Sequence, residues 1–272
     1  ILRALLFLIF GFIQALALFL KYRPNAVIGM GGYASGIGGL VAKIFFVPLF
    51  IHEQNTIPGS TNKLLSKIST LNFQAFDHSF DERVQVITTG NPILFSPHPK
   101  KPPTEVKNVL ILGGSLGAKK INEIIPMIKS PVNIWHQTGK NHFDEVKSFY
   151  SRSGHPQAKI DSFISNMEDA YAWADLVICR AGAMTVSELI ASNTIAILIP
   201  FPYAIDNHQT INAQYLSKQE AGILIDEKDL TPDAIDDEIS QLSKEKLKKL
   251  SKNLGLLKVQ HPERLIADYL LN

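Results

Sequence analysis

The chain has 272 residues, 46% of them hydrophobic and 19% charged, with a formal net charge of +2; disorder, collagen and coiled coil are excluded. A pI near 8.5, with Lys and Arg dispersed and no basic run interleaved with aromatics, gives no reason to expect nucleic acid as a partner. The one cysteine, Cys179, excludes an intrachain disulfide and fits a reducing compartment, and the length suits two domains, each with a real core.

Residues 1–20 form an apolar run broken only by Arg3 and Gln14, long enough to cross a bilayer. The run starts without Met, no small-residue cleavage site follows, and it leads straight into Lys21-Tyr22-Arg23-Pro24 and a strand. These features favour a buried or membrane-facing helix over a span, and the missing Met suggests that upstream residues are lost. Downstream, β-branched runs predict strands over 26–28, 49–52, 71–75, 84–88, 109–112, 133–137, 159–163, 176–179, 195–199 and 223–225. Helical patterns fill gaps between them, including 36–46, 59–68, 118–128, 166–174, 184–191 and 207–219. Such alternation specifies parallel sheets with helices on both faces. Five prolines between Pro92 and Pro103, with Lys100 and Lys101 among them, read as a stiff exposed connection and as the domain boundary. The acidic stretch 226–238 and the basic stretch 244–252 read as solvated faces of two surface helices.

Three Gly-rich turns follow strands: Gly29-Met30-Gly31-Gly32-Tyr33-Ala34-Ser35, Gly113-Gly114-Ser115-Leu116-Gly117-Ala118, and Arg180-Ala181-Gly182-Ala183-Met184-Thr185. Each sets backbone N–H groups at a helix start, where an anion such as phosphate is held, although a glycine also simply lets a chain turn sharply. Two familiar patterns compete. Residues 29–34 fit the dinucleotide fingerprint GxGxxA, with Glu53 about twenty residues on, and 113–117 fit the GxSxG nucleophile elbow, with Asp206 and His208 or His261 downstream in hydrolase order. His52-Glu53-Gln54-Asn55-Thr56 begins like the zinc motif HExxH, but Thr56 stands where a second His is needed, and no metal is implied. His52 and Glu53 could relay a proton at a strand end, and Asn55 could donate and accept there. Thr185-Val186-Ser187-Glu188 has capping-box spacing, so Glu188 reads either as a cap or as a carboxylate placed to accept both hydroxyls of a ribose.

The segments GMGGYASG, IHEQN, PGSTNK, GNP, LGGSLGA, WHQTGK, AYAWADLVICRAGAMTVSE and IPFPYAIDNHQTINA, in this order between about Lys21 and Gly222, resemble the bacterial family of lipid II-forming N-acetylglucosaminyltransferases (MurG). The resemblance implies an α/β fold of the GT-B type, two Rossmann-like doubly wound domains facing across a cleft, the first incomplete. The acceptor- and membrane-side domain would span 1–93 with a returning helix over 257–272, and the UDP-sugar domain 94–256. It implies an inverting transfer of GlcNAc from UDP-GlcNAc to the muramyl-pentapeptide pyrophosphoryl-undecaprenol acceptor, lipid I, at the cytoplasmic face of the membrane, with no cofactor. Carried over by motif, Asn55 would contact the donor, Ser115 the diphosphate, and Ile164 the uracil through its backbone. Ala183, Met184, Thr185, Val186 and Ser187 would line the nucleotide pocket, Glu188 would hold the ribose and Gln209 the GlcNAc hydroxyls. His52, Glu53 and Tyr33 would sit toward the acceptor as candidate catalytic groups. Helix N-termini at Ser115 and Met184 would stabilise the departing diphosphate.

Two departures stand out. The family's opening strand and Gly-rich loop, bearing a His thought to act in catalysis, has no counterpart here, and Leu94 occupies a place where the family usually has Arg, for which Lys119 or Arg180 would have to substitute. A UDP-sugar-binding chain without turnover and a serine hydrolase built on Ser115 remain the alternatives.

Overall fold

The computed structural model describes the backbone at residues 2–97 and 100–271, and the side chains at 6–97, 100–204 and 206–271. Residue 1 of the apolar run and Pro99 of the proline-rich connection lie outside the described residues. The chain divides into two units, one comprising Ile1–Pro92 with Val259–Asn272 and the other Ile93–Lys258.

In the first unit, helix α1 (Leu2–Tyr22) is followed by β1 (Val27–Gly29), α2 (Gly32–Ile44), β2 (Leu49–Glu53), α3 (Ser60–Leu65), β3 (Leu71–Gln74) and β4 (Val86–Thr88). The four strands form one parallel sheet in the order β1-β2-β3-β4. All five residues of β2 are buried, as a strand covered on both faces requires. Its alternating side chains serve two cores. Leu49 and Ile51 join Ala42, Leu65 and Phe80, with Phe19 of α1 packed against them, whereas Phe50 joins Phe73 and Ile266 on the opposite face. Helix α1 lies chiefly on α2: the Phe19 and Phe45 rings are 5.7 Å apart, and a Cβ at Gly11 would sit 3.0 Å from Ile37. Its remaining face leaves Phe7, Phe10, Ile13 and Leu20 exposed. Among the described residues no helix is long and apolar enough to cross a membrane.

The second unit runs β5 (Asn108–Leu112), α4 (Lys119–Ile124), β6 (Asn133–Gln137), α5 (Phe143–Tyr150), β7 (Lys159–Asp161), α6 (Met167–Trp173), β8 (Leu176–Cys179), α7 (Ala183–Ser192), β9 (Ala196–Leu198), α8 (His208–Ser217), β10 (Ile223–Leu224), α9 (Pro232–Ser240) and α10 (Lys244–Leu256). Helix α11 (Pro262–Leu271) belongs to the first unit. Strand order is β10-β9-β8-β5-β6-β7, all parallel. The chain therefore starts in the middle of this sheet, builds outward through β6 and β7, then returns to β8 on the other side of β5. That reversal is a topological switch point, where open α/β sheets present a crevice at the carboxyl ends of their strands.

All ten predicted strands are present, most within one or two residues of their expected bounds. Helix α5 was not anticipated; its apolar positions Val146 and Tyr150 are four apart, on a short amphipathic face. The proline-rich connection is also less exposed than expected. Lys100 is largely buried, its Nζ donating to the carbonyls of Tyr171 (2.8 Å) and Ala174 at the end of α6, and burial lowers its pKa to about 8. A cation at a helix C-terminus satisfies otherwise unpaired carbonyls.

Candidate functional site

The loops after β5 and β8 meet at the switch point, where the Arg180 N–H donates to the Leu112 carbonyl. Loop 113–118 turns through Gly114 (φ +82°) and Gly117 (φ +82°), a conformation that costs an L side chain energy. Gly117 also needs its missing Cβ for space, since one there would lie 2.1 Å from the Thr138 carbonyl oxygen. A Cβ at Gly139 would lie 2.3 Å from the Gly117 nitrogen. The loops after β5 and β6 are thus pressed backbone to backbone. Ser115 occupies a turn, and α4 begins only at Lys119, so the expectation of a helix start at Ser115 is corrected. The same displacement departs from a nucleophile elbow, in which the serine sits on the strand-to-helix turn itself.

Helix α7 starts at Ala183 with Gly182 as N-cap and no side-chain cap. Val186 N–H already bonds the Gly182 carbonyl, so the N–H groups of Ala183, Met184 and Thr185 are those the helix leaves for an anion. Thr185 lies in the first turn and cannot be the cap; the capping-box reading of Thr185 and Glu188 is excluded. The side chains of two expected pocket residues in this helix are engaged within the unit. Val186 is fully buried in the core, and Ser187 Oγ donates to the Ala183 carbonyl at 2.9 Å. Glu188, one turn further on, accepts from Tyr171 Oη at 2.8 Å, and burial raises its pKa, opposed by that hydrogen bond.

A hollow of about 700 Å³ is lined by loop 113–118 with Lys119, His142, Arg180, Phe201, Gln209 and Glu227. Gln209 Oε1 accepts from the Phe201 N–H at 3.0 Å, which leaves its amide nitrogen for a ligand. The Arg180 guanidinium is held by the Ile199 and Pro200 carbonyls at 3.2 Å, pairs with Glu227 and lies over the Phe201 ring. Arg180 thus stands in the hollow beside Ser115, a cation at the expected diphosphate position, while Leu94 is fully exposed. Ile164 is buried and its N–H donates to Gln137 Oε1 at 2.9 Å, so only its backbone carbonyl is left to a uracil. Glu227 had no motif to mark it, and Tyr171, though inside a quoted segment, was given no role, because each acts through a partner distant in sequence.

In the first unit, Tyr33 is exposed in the first turn of α2. His52 and Glu53 are buried. His52 Nε2 donates to the Gly90 carbonyl at 3.0 Å and Nδ1 accepts from Gln54 at 3.3 Å. Glu53 accepts from Asn55 N–H (2.9 Å), Asn55 Nδ2 (3.3 Å), Gly59 N–H (3.1 Å) and Asn62 Nδ2 (2.7 Å). Burial and prior bonding argue against proton transfer by this pair. They brace the loop that carries Asn55, and Glu53 is equally unavailable to a dinucleotide ribose.

Buried neutral histidines make a prediction about acid. Burial lowers the pKa of His52, and that of His136 in β6 to about 3, from the free value of 6.5. A depressed folded pKa gives stability that is complete above the free value and lost as pH falls through the folded one. Urea unfolding between pH 7 and 4 is expected to show stability falling below pH 6.5, less steeply in His136→Gln; parallel profiles would contradict it.

A switch-point crevice, a Gly-rich loop and an uncapped helix start in one Rossmann-like unit, in a chain that also carries a second parallel-sheet unit, fit the GT-B class of nucleotide-sugar glycosyltransferases. Family models match accordingly: the glycosyltransferase family 28 N-terminal domain over residues 2–73 and the family 28 C-terminal domain over 108–267. A UDP-N-acetylglucosamine--N-acetylmuramyl-(pentapeptide) pyrophosphoryl-undecaprenol N-acetylglucosamine transferase of Vesicomyosocius okutanii is 50% identical over 273 residues, all of this chain and 78% of that protein. The Methylococcus capsulatus protein of the same name is 47% identical over 228 residues, 80% of this chain and 64% of the relative. The crystal structure of Acinetobacter baumannii MurG superposes with a TM-score of 0.83 at 32% identity, covering 96% of this chain and 78% of the other. The chain belongs to glycosyltransferase family 28 and, within it, to the MurG family of lipid II-forming N-acetylglucosaminyltransferases.

Proposed function

We infer that the chain moves GlcNAc from UDP-GlcNAc to lipid I, with inversion, to form lipid II in peptidoglycan synthesis. The observation that supports this is the meeting of loop 113–118 and the loop that leads into the uncapped start of α7 at one switch point, an arrangement suited to holding a diphosphate. Ser115 and Arg180 take the diphosphate, the N–H groups of Ala183, Met184 and Thr185 complete its cradle, Glu188 takes the ribose hydroxyls and Gln209 the sugar. Ile164 meets the uracil through its carbonyl, and in the first unit Asn55 is a donor contact and Tyr33 an acceptor contact. Charge growing on UDP as the glycosidic bond breaks is met by fixed dipoles and a guanidinium, which need no rearrangement at that moment. The relatives' names specify an undecaprenol-linked acceptor. The exposed Phe7, Phe10 and Ile13 of α1 and Leu40, Ile44 and Phe46 at and beyond α2, beside Lys21 and Lys43, support peripheral contact with the cytoplasmic membrane face that carries such a lipid.

Calorimetric titration with UDP-GlcNAc tests the donor site, and transfer to lipid I tests turnover. Saturable binding that UDP competes away is expected. No heat at millimolar donor would overturn the reading, and binding without transfer would reduce it to a UDP-sugar-binding chain.

A further inference from the structure

Behind the Gly-rich loop lies a line of buried polar groups that the transfer chemistry does not use. Tyr150 of α5, His136 of β6, Asn122 of α4 and Thr138 after β6 are each at most 2% exposed. Asn122 Nδ2 is 2.9 Å from the Thr138 carbonyl, His136 Nε2 is 3.0 Å from Asn122 Oδ1, and His136 Nδ1 is 2.9 Å from Tyr150 Oη. One direction of donation fits. The Thr138 carbonyl only accepts, so Asn122 turns its amide nitrogen there and its oxygen toward His136; Nε2 then carries the proton, and Nδ1 accepts from the tyrosine hydroxyl. This direction is that of a neutral imidazole, the form that burial favours.

Its end is the very carbonyl on which Gly117 closes, and Asn122 belongs to the helix that loop 113–118 enters. We propose that Tyr150, His136 and Asn122 are positioning residues for the donor diphosphate: they fix the Thr138 carbonyl, and with it the seat of Gly117 and the direction of the loop's N–H groups. This rests on the donor reading given above. Apolar side chains replacing the whole line would fill the same space and hold the unit together about as well, whereas a single replacement strands a buried partner; in neither case is the carbonyl oriented. Bonds aligned in one direction also polarise one another, which stiffens the line.

The test compares Asn122→Leu, His136→Leu, Tyr150→Phe and the polarity-preserving His136→Gln. UDP affinity, donor and acceptor KM, kcat and urea midpoints are measured well below each midpoint. Asn122→Leu and His136→Leu are expected to raise UDP Kd and donor KM about tenfold with acceptor KM unchanged, because small displacements of binding groups are costly. Tyr150→Phe is expected to move them the same way by a smaller factor, and His136→Gln to recover most of the loss. Lower midpoints with unchanged UDP Kd would make the line purely structural and overturn the proposal. Should the leucine variants not fold, Tyr150→Phe against His136→Gln decides, equal UDP affinity in both and in the unaltered chain counting against it. An unaltered chain that binds no UDP overturns the donor reading and this inference together; binding that no variant changes overturns this inference alone.

Discussion

Glu188→Ala is expected to weaken UDP-GlcNAc binding about 5- to 150-fold, the equivalent of about 1–3 kcal/mol for a hydrogen-bonding carboxylate lost from a partly buried site. The effect belongs to binding because Glu188 lies beyond the first turn of α7 and caps nothing; Gly182 is the N-cap. One oxygen of Glu188 accepts from Tyr171 Oη, which fixes the carboxylate, and the proposed function assigns its other oxygen and remaining lone pair to the ribose diol. Removing Glu188 strands the tyrosine hydroxyl, so a stability loss of about 1 kcal/mol accompanies the change. Calorimetry on the folded variant separates the two, and unchanged affinity there would remove Glu188 from the site.

Gly117→Ala is expected to cost about 2–5 kcal/mol of stability, since a positive-φ side chain and a forced backbone displacement both contribute. The new Cβ would lie 2.1 Å from the Thr138 oxygen, and that atom is backbone, unable to swing aside. Gly114 gives the control: its φ is also +82°, yet a Cβ there meets nothing within 4 Å. Gly114→Ala should therefore cost only the conformational part, about 1–2 kcal/mol. Urea midpoints for the two variants provide the comparison, and equal losses would show that contact with the 138–140 loop does not hold the Gly-rich turn.

Much of this arrangement was legible because strands buried on both faces read as apolar runs, as in Leu49–Ile51 of β2 and Leu176–Cys179. The Gly-rich turns at 29–32 and 113–117 were visible for a related reason, since positive φ and backbone contact admit little else. Failures arose where distant partners decide. Thr185 and Glu188 had the spacing of a cap, but α7 begins at Ala183, before the spacing starts to count. Lys100 looked like solvent-facing linker until the carbonyl end of α6 took its charge. His52 and Glu53 carry the functional groups of a proton relay, and only the bonds to Gly90, Gly59 and Asn62 reveal that those groups are already engaged. Position along a chain names the chemistry available; the fold determines which atoms remain open.

Helix α11 seals the aromatic side of the first sheet, with Ile266 against Phe50 and Phe73 and the Tyr269 ring 5.7 Å from Phe73. Translation delivers that cover only after every residue of the second unit has been made. The continuous segment Ile93–Lys258 can therefore close its own core during synthesis, while Phe50 and Phe73 wait for their cover until α11 emerges. Assembly order is thus written into the route of the backbone, and the earlier-made unit is the later one to mature.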